Sequence, residues 1–172
     1  MRNASEKIIK YIDSLNCFLG SKISWLCLLI VCFMFINVVQ RYAFSSNAIW
    51  QQELVQYLHA IIFLSVSGYT LRNNRHVRVD VFYEKMGTNK RKIVDIIGAV
   101  TLLIPVNMAI LYFSFGFISN SFSIYEGSRE SGGMQGVFIL KMFIAIYAIT
   151  VALQGVSLVL KNIISYRDIG NS

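Results

Sequence analysis

Four long apolar segments, separated by shorter polar ones, dominate the pattern of hydrophobic and polar positions along this chain. They cover about residues 23–41, 49–71, 93–118 and 137–160. About 20 mostly apolar residues suffice for a helix to cross the hydrocarbon core of a bilayer, and backbone polar groups in lipid must be satisfied within the helix. The pattern therefore predicts an all-α membrane protein with four transmembrane helices, with residues 1–172 forming a single integral membrane domain.

Two local features refine these segments. Pro105 lies inside the third segment, where it removes one helical hydrogen bond, so we expect a kink there. The first segment is longer than the apolar region of about 7–15 residues in a cleaved signal peptide, and no A-x-A-like site follows it. We interpret it as an uncleaved membrane anchor.

Two further segments have the spacing of amphipathic helices. One covers about residues 6–19, and the other covers about residues 79–87, with Asp80 as its predicted cap and Gly87 as its predicted end. Their apolar positions repeat at three or four residues, as on one face of a helix: Ile8, Ile12, Leu15 and Leu19 in the first, and Val79, Phe82, Tyr83 and Met86 in the second. We predict that both are short interfacial helices.

The composition agrees with a membrane protein and gives no sign of catalytic chemistry. Hydrophobic residues make up 55% and charged residues 15% of the chain, against about 25% charged residues in typical soluble domains. Cys17, Cys27 and Cys32 lack metal-ligand spacing, and we expect them to be small buried hydrophobes. No nucleophile motif, phosphate-binding loop or metal signature occurs, so we predict no enzyme activity, no metal site and no cofactor.

The positive charges predict the orientation of the chain in the membrane. Thirteen of the 16 lysines and arginines lie in the N-terminal segment, the loop between the second and third spans, and the C-terminal tail. Arg41, Arg129 and Lys141 belong to the other side. Because short loops rich in Lys and Arg stay in the cytoplasm, we expect both termini and the central loop to be cytoplasmic.

The central loop concentrates these charges next to the bilayer. We predict that its basic residues set the topology and contact the headgroups of anionic phospholipids. Nucleic-acid binding is disfavoured because the loop is short and lies against the membrane. The residues concerned are Arg72, Arg75, His76, Arg78, Lys90, Arg91 and Lys92.

Polar side chains at membrane depth are concentrated in the second span. Gln52, Gln56 and His59 are spaced to share one helix face, with Glu53 beside them. One interpretation is an ion or proton site with Glu53 as a ligand, as in an autonomous ion-coupled transporter. The other, which we favour, is a helix–helix or subunit seam held by hydrogen bonds. Arg41, at the end of the first span, is a candidate ion-pair partner for Glu53.

A haem-binding electron-transfer subunit is a further alternative. His59 is the only histidine inside a predicted span, whereas His76 lies in the cytoplasmic loop. A bis-histidine haem would need a second histidine at depth, so this alternative is disfavoured.

Three stretches resemble the small membrane subunit of tripartite ATP-independent periplasmic (TRAP) transporters, and the resemblance covers nearly the whole chain. They are QRYAFSSNAIWQQELVQYL at 40–58, the segment at 68–80 with His76-Val-Arg78-Val-Asp80, and LKMFIAIYAITVALQG at 140–155. Family members often carry a proline early in the fourth span, which this chain lacks. The residues that we predict to make subunit or helix-seam contacts are Arg41, Trp50, Gln52, Glu53, Gln56, His59, Lys141 and Gln154.

The resemblance implies a four-helix subunit in the bacterial inner membrane. In the family, it pairs with a large multi-span membrane subunit, which binds sodium and substrate. A periplasmic substrate-binding protein delivers the substrate, commonly an organic acid, and a sodium gradient drives uptake. The implied role of the small subunit is that of a stationary scaffold that also helps to dock the binding protein.

Overall fold

The computed structural model describes residues 2–73 and 87–170. In these two ranges the regular secondary structure is entirely helical. The elements are α1 (Arg2–Ile23), α2 (Leu26–Ala43), α3 (Ile49–Arg72), α4 (Thr88–Gly98), a π-helical segment (Ala99–Leu103), α5 (Ile104–Ser123) and α6 (Val137–Gly170). Of the predicted second interfacial helix, Val79, Asp80, Phe82, Tyr83 and Met86 lie outside the described residues, as do Arg75, His76 and Arg78.

Within the described residues, four helical runs are long and apolar enough to cross a membrane, in agreement with the predicted number of spans. They are Ser5–Ala43, Ile49–Arg72, Asn89–Ser123 and Val137–Tyr166. The third and fourth runs extend beyond the apolar segments at their charged ends. Backbone hydrogen bonding continues there without apolar side chains, since a helix satisfies its own peptide groups.

The helices form an array in the order α2, α3, α6, α5. α6 packs against α5 on one side and α3 on the other, and α3 also packs against α2. α2 consequently has no buried residue. The expectation that all three cysteines are buried is therefore wrong: Cys27 and Cys32, on α2, are exposed, and Cys17 is half-buried.

α1 crosses one end of this array instead of running beside a partner helix. Asp13, Asn16 and Gly20 of α1 approach Arg72, Gly68 and Tyr69 of α3, respectively. Asp13 and Gly20, seven positions apart on α1, thus meet the same last turns of α3, as expected where two helices cross and share only a short contact. A two-residue turn at 24–25 then leads into α2.

The face of α1 that enters the bundle differs from the predicted apolar face. Ile12, Asn16 and Gly20 are buried, at a spacing of four residues. Of the apolar positions predicted to share a face, Ile12 is buried, whereas Ile8 is 49% exposed. The packed face is centred on Asn16 because polar partners from α6 meet it there.

A π-helical segment, Ala99–Leu103, lies just before Pro105, and the kink predicted there stays a prediction. The Ile104 backbone N–H donates to the Ala99 carbonyl, five residues back. The side-chain amide of Asn107 donates to the Leu103 carbonyl at 2.7 Å. A Cβ atom at Gly155 of α6 would lie 2.3 Å from the Leu103 side chain. Gly155 therefore lets α6 lie close to the widened turn.

Candidate functional site: polar clusters at the two ends of the bundle

Asp13 is the centre of a polar cluster that joins α1 to α6. Its carboxylate accepts hydrogen bonds from Gln154 Nε2 at 3.1 Å, Ser157 Oγ at 3.0 Å and Lys161 Nζ at 2.6 Å. The guanidinium of Arg72, from α3, lies 3.5 Å away, measured from Nε to Oδ2. Multiple charge-assisted hydrogen bonds offset the free-energy cost of placing a carboxylate against packed helices.

Asn16 extends this cluster into the core. Asn16 Nδ2 donates to Gln154 Oε1 at 2.8 Å, and the Gln154 amide donates in turn to Asp13. Asn16 is 0% exposed and Gln154 is 2% exposed. The bonds therefore run in one direction, from the buried amide of α1 through the α6 amide to the carboxylate. We call Asp13, Asn16, Arg72, Gln154, Ser157 and Lys161 the Asp13 cluster.

The insertion of Asn16 requires a glycine on α3. A Cβ atom at Gly68 would lie 2.3 Å from Asn16 Oδ1 and 3.2 Å from the Thr150 carbonyl oxygen of α6. Small residues at such positions allow helix backbones to approach closely. Gly68 thus sets the distance at which α1, α3 and α6 meet.

The second cluster, at the opposite end of α3, fixes the loop between α5 and α6. Glu53 accepts the Met134 backbone N–H at 2.6 Å and the Ser128 hydroxyl. Within the loop, the Ser128 N–H donates to the Met134 carbonyl at 3.0 Å, and the Gly133 N–H donates to the Glu130 carbonyl at 3.1 Å. The polar, glycine-rich loop therefore has a defined shape that depends on a carboxylate from α3.

Glu126 and Lys141 hold the base of the same loop. The Glu126 carboxylate accepts hydrogen bonds from Lys141 Nζ and from Ser121 Oγ, the latter at 2.8 Å. Lys141 Nζ also lies 3.8 Å from the centroid of the Phe117 ring, a cation–π contact. The hydrogen bond from Lys141 keeps the pKa of the Glu126 carboxyl below its ordinary value of 4.5. We call Glu53, Ser121, Glu126, Ser128, Met134 and Lys141 the loop cluster.

The structure divides the candidate site residues between these clusters and the surface. Glu53 and Lys141 belong to the loop cluster, and Gln154 and Arg72 belong to the Asp13 cluster. Arg41 is exposed and forms no ion pair with Glu53 within the described ranges. The expected Arg41–Glu53 contact is therefore wrong, because Glu53 turns toward the loop.

Within the described ranges, the other predicted seam residues make no side-chain hydrogen bond to another helix. Gln52 donates to the side chain of Asn47, five residues earlier, and Trp50 is 45% exposed. Gln56 and His59 are exposed. Their predicted part in contacts with another subunit stays a prediction.

The basic residues of α4 lie near the end of the bundle that holds the Asp13 cluster. Lys92 Nζ donates to the Ser165 hydroxyl of α6 at 2.7 Å. Lys90 is exposed and Arg91 is half-buried. Their predicted contact with lipid headgroups stays a prediction.

The sequence interpretation missed most of the two clusters, although part of the signal was present. Gln154, Ser157 and Lys161 are spaced at i, i+3 and i+7, so they share one face of α6. Asp13 and Asn16 show the same periodicity on α1. Such a pair of polar stripes predicts two helices that face each other. Glu126 and Ser128 carried no such signal, because a loop has no fixed period.

The fold and the two clusters define the class of protein. In the described part of the chain, it is an all-helical membrane protein with four candidate spanning helices, polar clusters that fasten these helices, and an ordered loop between α5 and α6. In the described ranges, no group of three or more His, Cys, Asp or Glu side chains is arranged to hold a metal ion.

The family follows from a direct comparison. The profile of the tripartite ATP-independent periplasmic transporters, DctQ component, matches residues 30–165. The chain belongs to this family, the small membrane component of these transporters, which confirms the resemblance seen in the sequence. The match begins within α2, so α1 lies outside it. A search of curated proteins found no match.

Proposed function

We propose that this chain is a stationary scaffold subunit of a sodium-driven TRAP importer of organic acids in the bacterial inner membrane. It supports the large transport subunit and helps to dock the periplasmic substrate-binding protein. The observation that carries the proposal is that polar side chains inside the bundle form hydrogen bonds from one helix to another. Asp13 and Asn16 of α1 each bind Gln154 of α6, as expected in a fixed support and not along a path for ions.

The proposed orientation follows from the charges. The segments richest in Lys and Arg stay in the cytoplasm, so the Asp13 cluster lies at the cytoplasmic end and the loop cluster at the periplasmic end. α1 then crosses the cytoplasmic end of the bundle as an interfacial helix. Its surface over residues 8–21 supports this position, because the exposed apolar side chains (Ile8, Tyr11 and Phe18) and the exposed polar ones (Lys10, Ser14 and Ser21) occupy separate sectors there.

The ordered loop is the proposed contribution of this chain to docking the binding protein. Ile124 and Tyr125, at its start, are 71% and 75% exposed. Tyr125 has a φ of 46°, a left-handed conformation that is uncommon for a residue with a Cβ atom. Glu126, the next residue, is held by Lys141 and Ser121. The loop thus presents apolar side chains on a preorganised backbone, which favours binding to a protein surface.

Reconstitution tests the scaffold role. Liposomes are prepared with this chain alone, the large subunit alone, or both, and the binding protein loaded with an organic acid is added under a sodium gradient. We expect uptake only when both membrane subunits are present. Uptake by this chain alone would contradict the proposal.

A second experiment separates the scaffold from an autonomous transporter that uses Glu53 for coupling. Glu53→Gln removes one of the two carboxylate oxygens that hold Ser128 and Met134, so we expect a looser loop and less assembled complex. Uptake per assembled complex should remain near the wild-type value. Abolished uptake in a complex that assembles fully, with an unchanged loop, would identify Glu53 as a coupling group instead.

A further inference from the structure

The middle of α3 exposes polar side chains on the surface of the bundle. Gln56 and His59 are exposed, and Phe63, four residues after His59, is 68% exposed on the same face. α3 begins at Ile49 and ends at Arg72. At about 1.5 Å of rise per residue, His59 lies about 15 Å from the start of a helix about 36 Å long. His59 is therefore well inside the hydrocarbon core and not at its edge.

These side chains lack hydrogen-bond partners within the described ranges. Neither the Gln56 amide nor the His59 ring forms a side-chain hydrogen bond there. Thr101, another exposed polar residue of a spanning run, differs because its hydroxyl donates to the Ile97 carbonyl at 2.7 Å. A hydroxyl can use its own helix backbone in this way. In α3, the Gln56 amide and the His59 imidazole have no such partner among the described residues and face outward from the bundle.

Lipid is a poor environment for such a face. Transfer of an amide or imidazole into hydrocarbon without a hydrogen-bond partner is unfavourable, and polar residues inside spans usually face protein or water. The neighbouring helix α2 is mostly apolar and has no buried residue, so it adds exposed apolar surface next to α3. A broad apolar surface with hydrogen-bonding groups at mid-depth suits another transmembrane helix.

We propose that the Gln56–His59 face of α3 is the docking surface for a transmembrane helix of the large transport subunit. That helix presents hydrogen-bonding side chains, or a closely approaching backbone, at the depth of His59. The inference rests on the proposed function, since it names the surface through which the scaffold holds the transport subunit. Between Gln56 and His59, the surface supplies both donors and acceptors, so a polar partner helix can satisfy it, whereas lipid tails cannot.

Photo-crosslinking in the assembled complex tests the occupant directly. A benzophenone amino acid is placed at position 56, 59 or 101 of the full chain, which is produced together with the large subunit. We expect crosslinks to the large subunit from positions 56 and 59, and crosslinks to lipid from position 101. Crosslinks from 56 and 59 to lipid only, or to a second copy of this chain, would overturn the proposal.

Apolar substitutions test the energetic contribution of the face. Gln56→Leu combined with His59→Leu makes α3 more compatible with lipid, so the chain should insert and remain stable. We expect about tenfold less large subunit to co-purify, since hydrogen bonds between membrane helices have modest strength. Thr101→Val is the matched control and should leave co-purification unchanged, while His59→Gln should retain most of it.

The outcomes also separate this inference from the scaffold role. Unchanged co-purification with the double leucine variant would overturn the docking surface while leaving the scaffold role intact. If the wild-type chain itself fails to co-purify with the large subunit, the scaffold role fails as well.

Discussion

Asp13 shows how a single charged side chain determines the position of a whole helix. Its carboxylate binds a lysine, an amide and a hydroxyl that all come from one face of α6. Removing one partner of such a cluster leaves the remaining charges without compensation, which is more destabilising than the net contribution of the intact cluster. The cluster therefore makes α1 an integral part of the bundle.

Asp13→Asn should lower the free energy of unfolding by about 2 kcal/mol, because Lys161 and Arg72 lose their shared anionic partner. Unfolding of the purified chain in mixed micelles, followed by circular dichroism, measures the change. Glu130→Gln removes an exposed carboxylate of the loop and serves as the control. Equal stability of the Asp13 variant and the control would contradict the assigned role.

The interaction of Glu126 with Lys141 leads to a prediction of how the loop responds to pH. Because the hydrogen bond from Lys141 lowers the pKa of Glu126 in the folded protein, the stability that this bond contributes is fully present above the unfolded pKa. It is lost as the pH falls through the lower folded pKa. Amide hydrogen exchange of residues 124–136 should thus show an ordered loop at about pH 5 and a loosened loop only at lower pH.

Lys141→Met provides the comparison for this pH dependence. Without the ammonium group, the loop should exchange faster already at neutral pH, and the change on acidification should shrink. Glu130→Gln should exchange as the wild-type chain does. A Lys141 variant with wild-type exchange at every pH would refute the contribution of this ion pair.

At the scale of elements, the glycine on α3 decides how closely the helices approach. Gly68→Ala places a methyl group against Asn16, whose amide is fixed by Gln154. We expect a loss of about 1–3 kcal/mol in the free energy of unfolding from overpacking. Gly116→Ala is the matched control, since no atom beyond its own stretch of helix backbone lies within 4 Å of the added Cβ. Equal stability of the two variants would contradict the tight packing.

The proposed interfacial position of α1 predicts a second result at this scale, because three sectors of the helix would then face protein, lipid and water. Spin labels are placed at Ile8, Lys10, Phe18 and Ser21 of a cysteine-free chain in nanodiscs. Labels at Ile8 and Phe18 should be reached by oxygen, and labels at Lys10 and Ser21 by a water-soluble nickel chelate. Equal access of the chelate to all four positions would exclude the interfacial position of α1.

At the scale of the whole molecule, the proposed orientation makes one direct prediction. In a cysteine-free background, Ser131→Cys in the ordered loop should react with a membrane-impermeant maleimide added to intact cells. Asn89→Cys, at the start of α4, should react only after the inner membrane is opened, because the proposed orientation places this basic region in the cytoplasm. The reverse labelling pattern would contradict the proposed orientation, because the loop would then lie in the cytoplasm.

Much of the architecture could be predicted from the sequence by itself. Four apolar segments determined the number of spans, because lipid requires long helices with internally satisfied backbones. The family was visible in the stretches at 40–58, 68–80 and 140–155. These features are local, so each can be recognised without knowing which residues meet in space.

Only the tertiary structure decided which polar side chains meet. Glu53 was predicted to face Arg41, its near neighbour in sequence, yet it binds Ser128 and Met134 of a distant loop. Asp13 and Lys161, at the two ends of the chain, form one ion pair. The physical reason is that hydrophobic periodicity fixes helices but not their neighbours. The partner of a buried charge depends on which helices pack together and on where a glycine lets them approach.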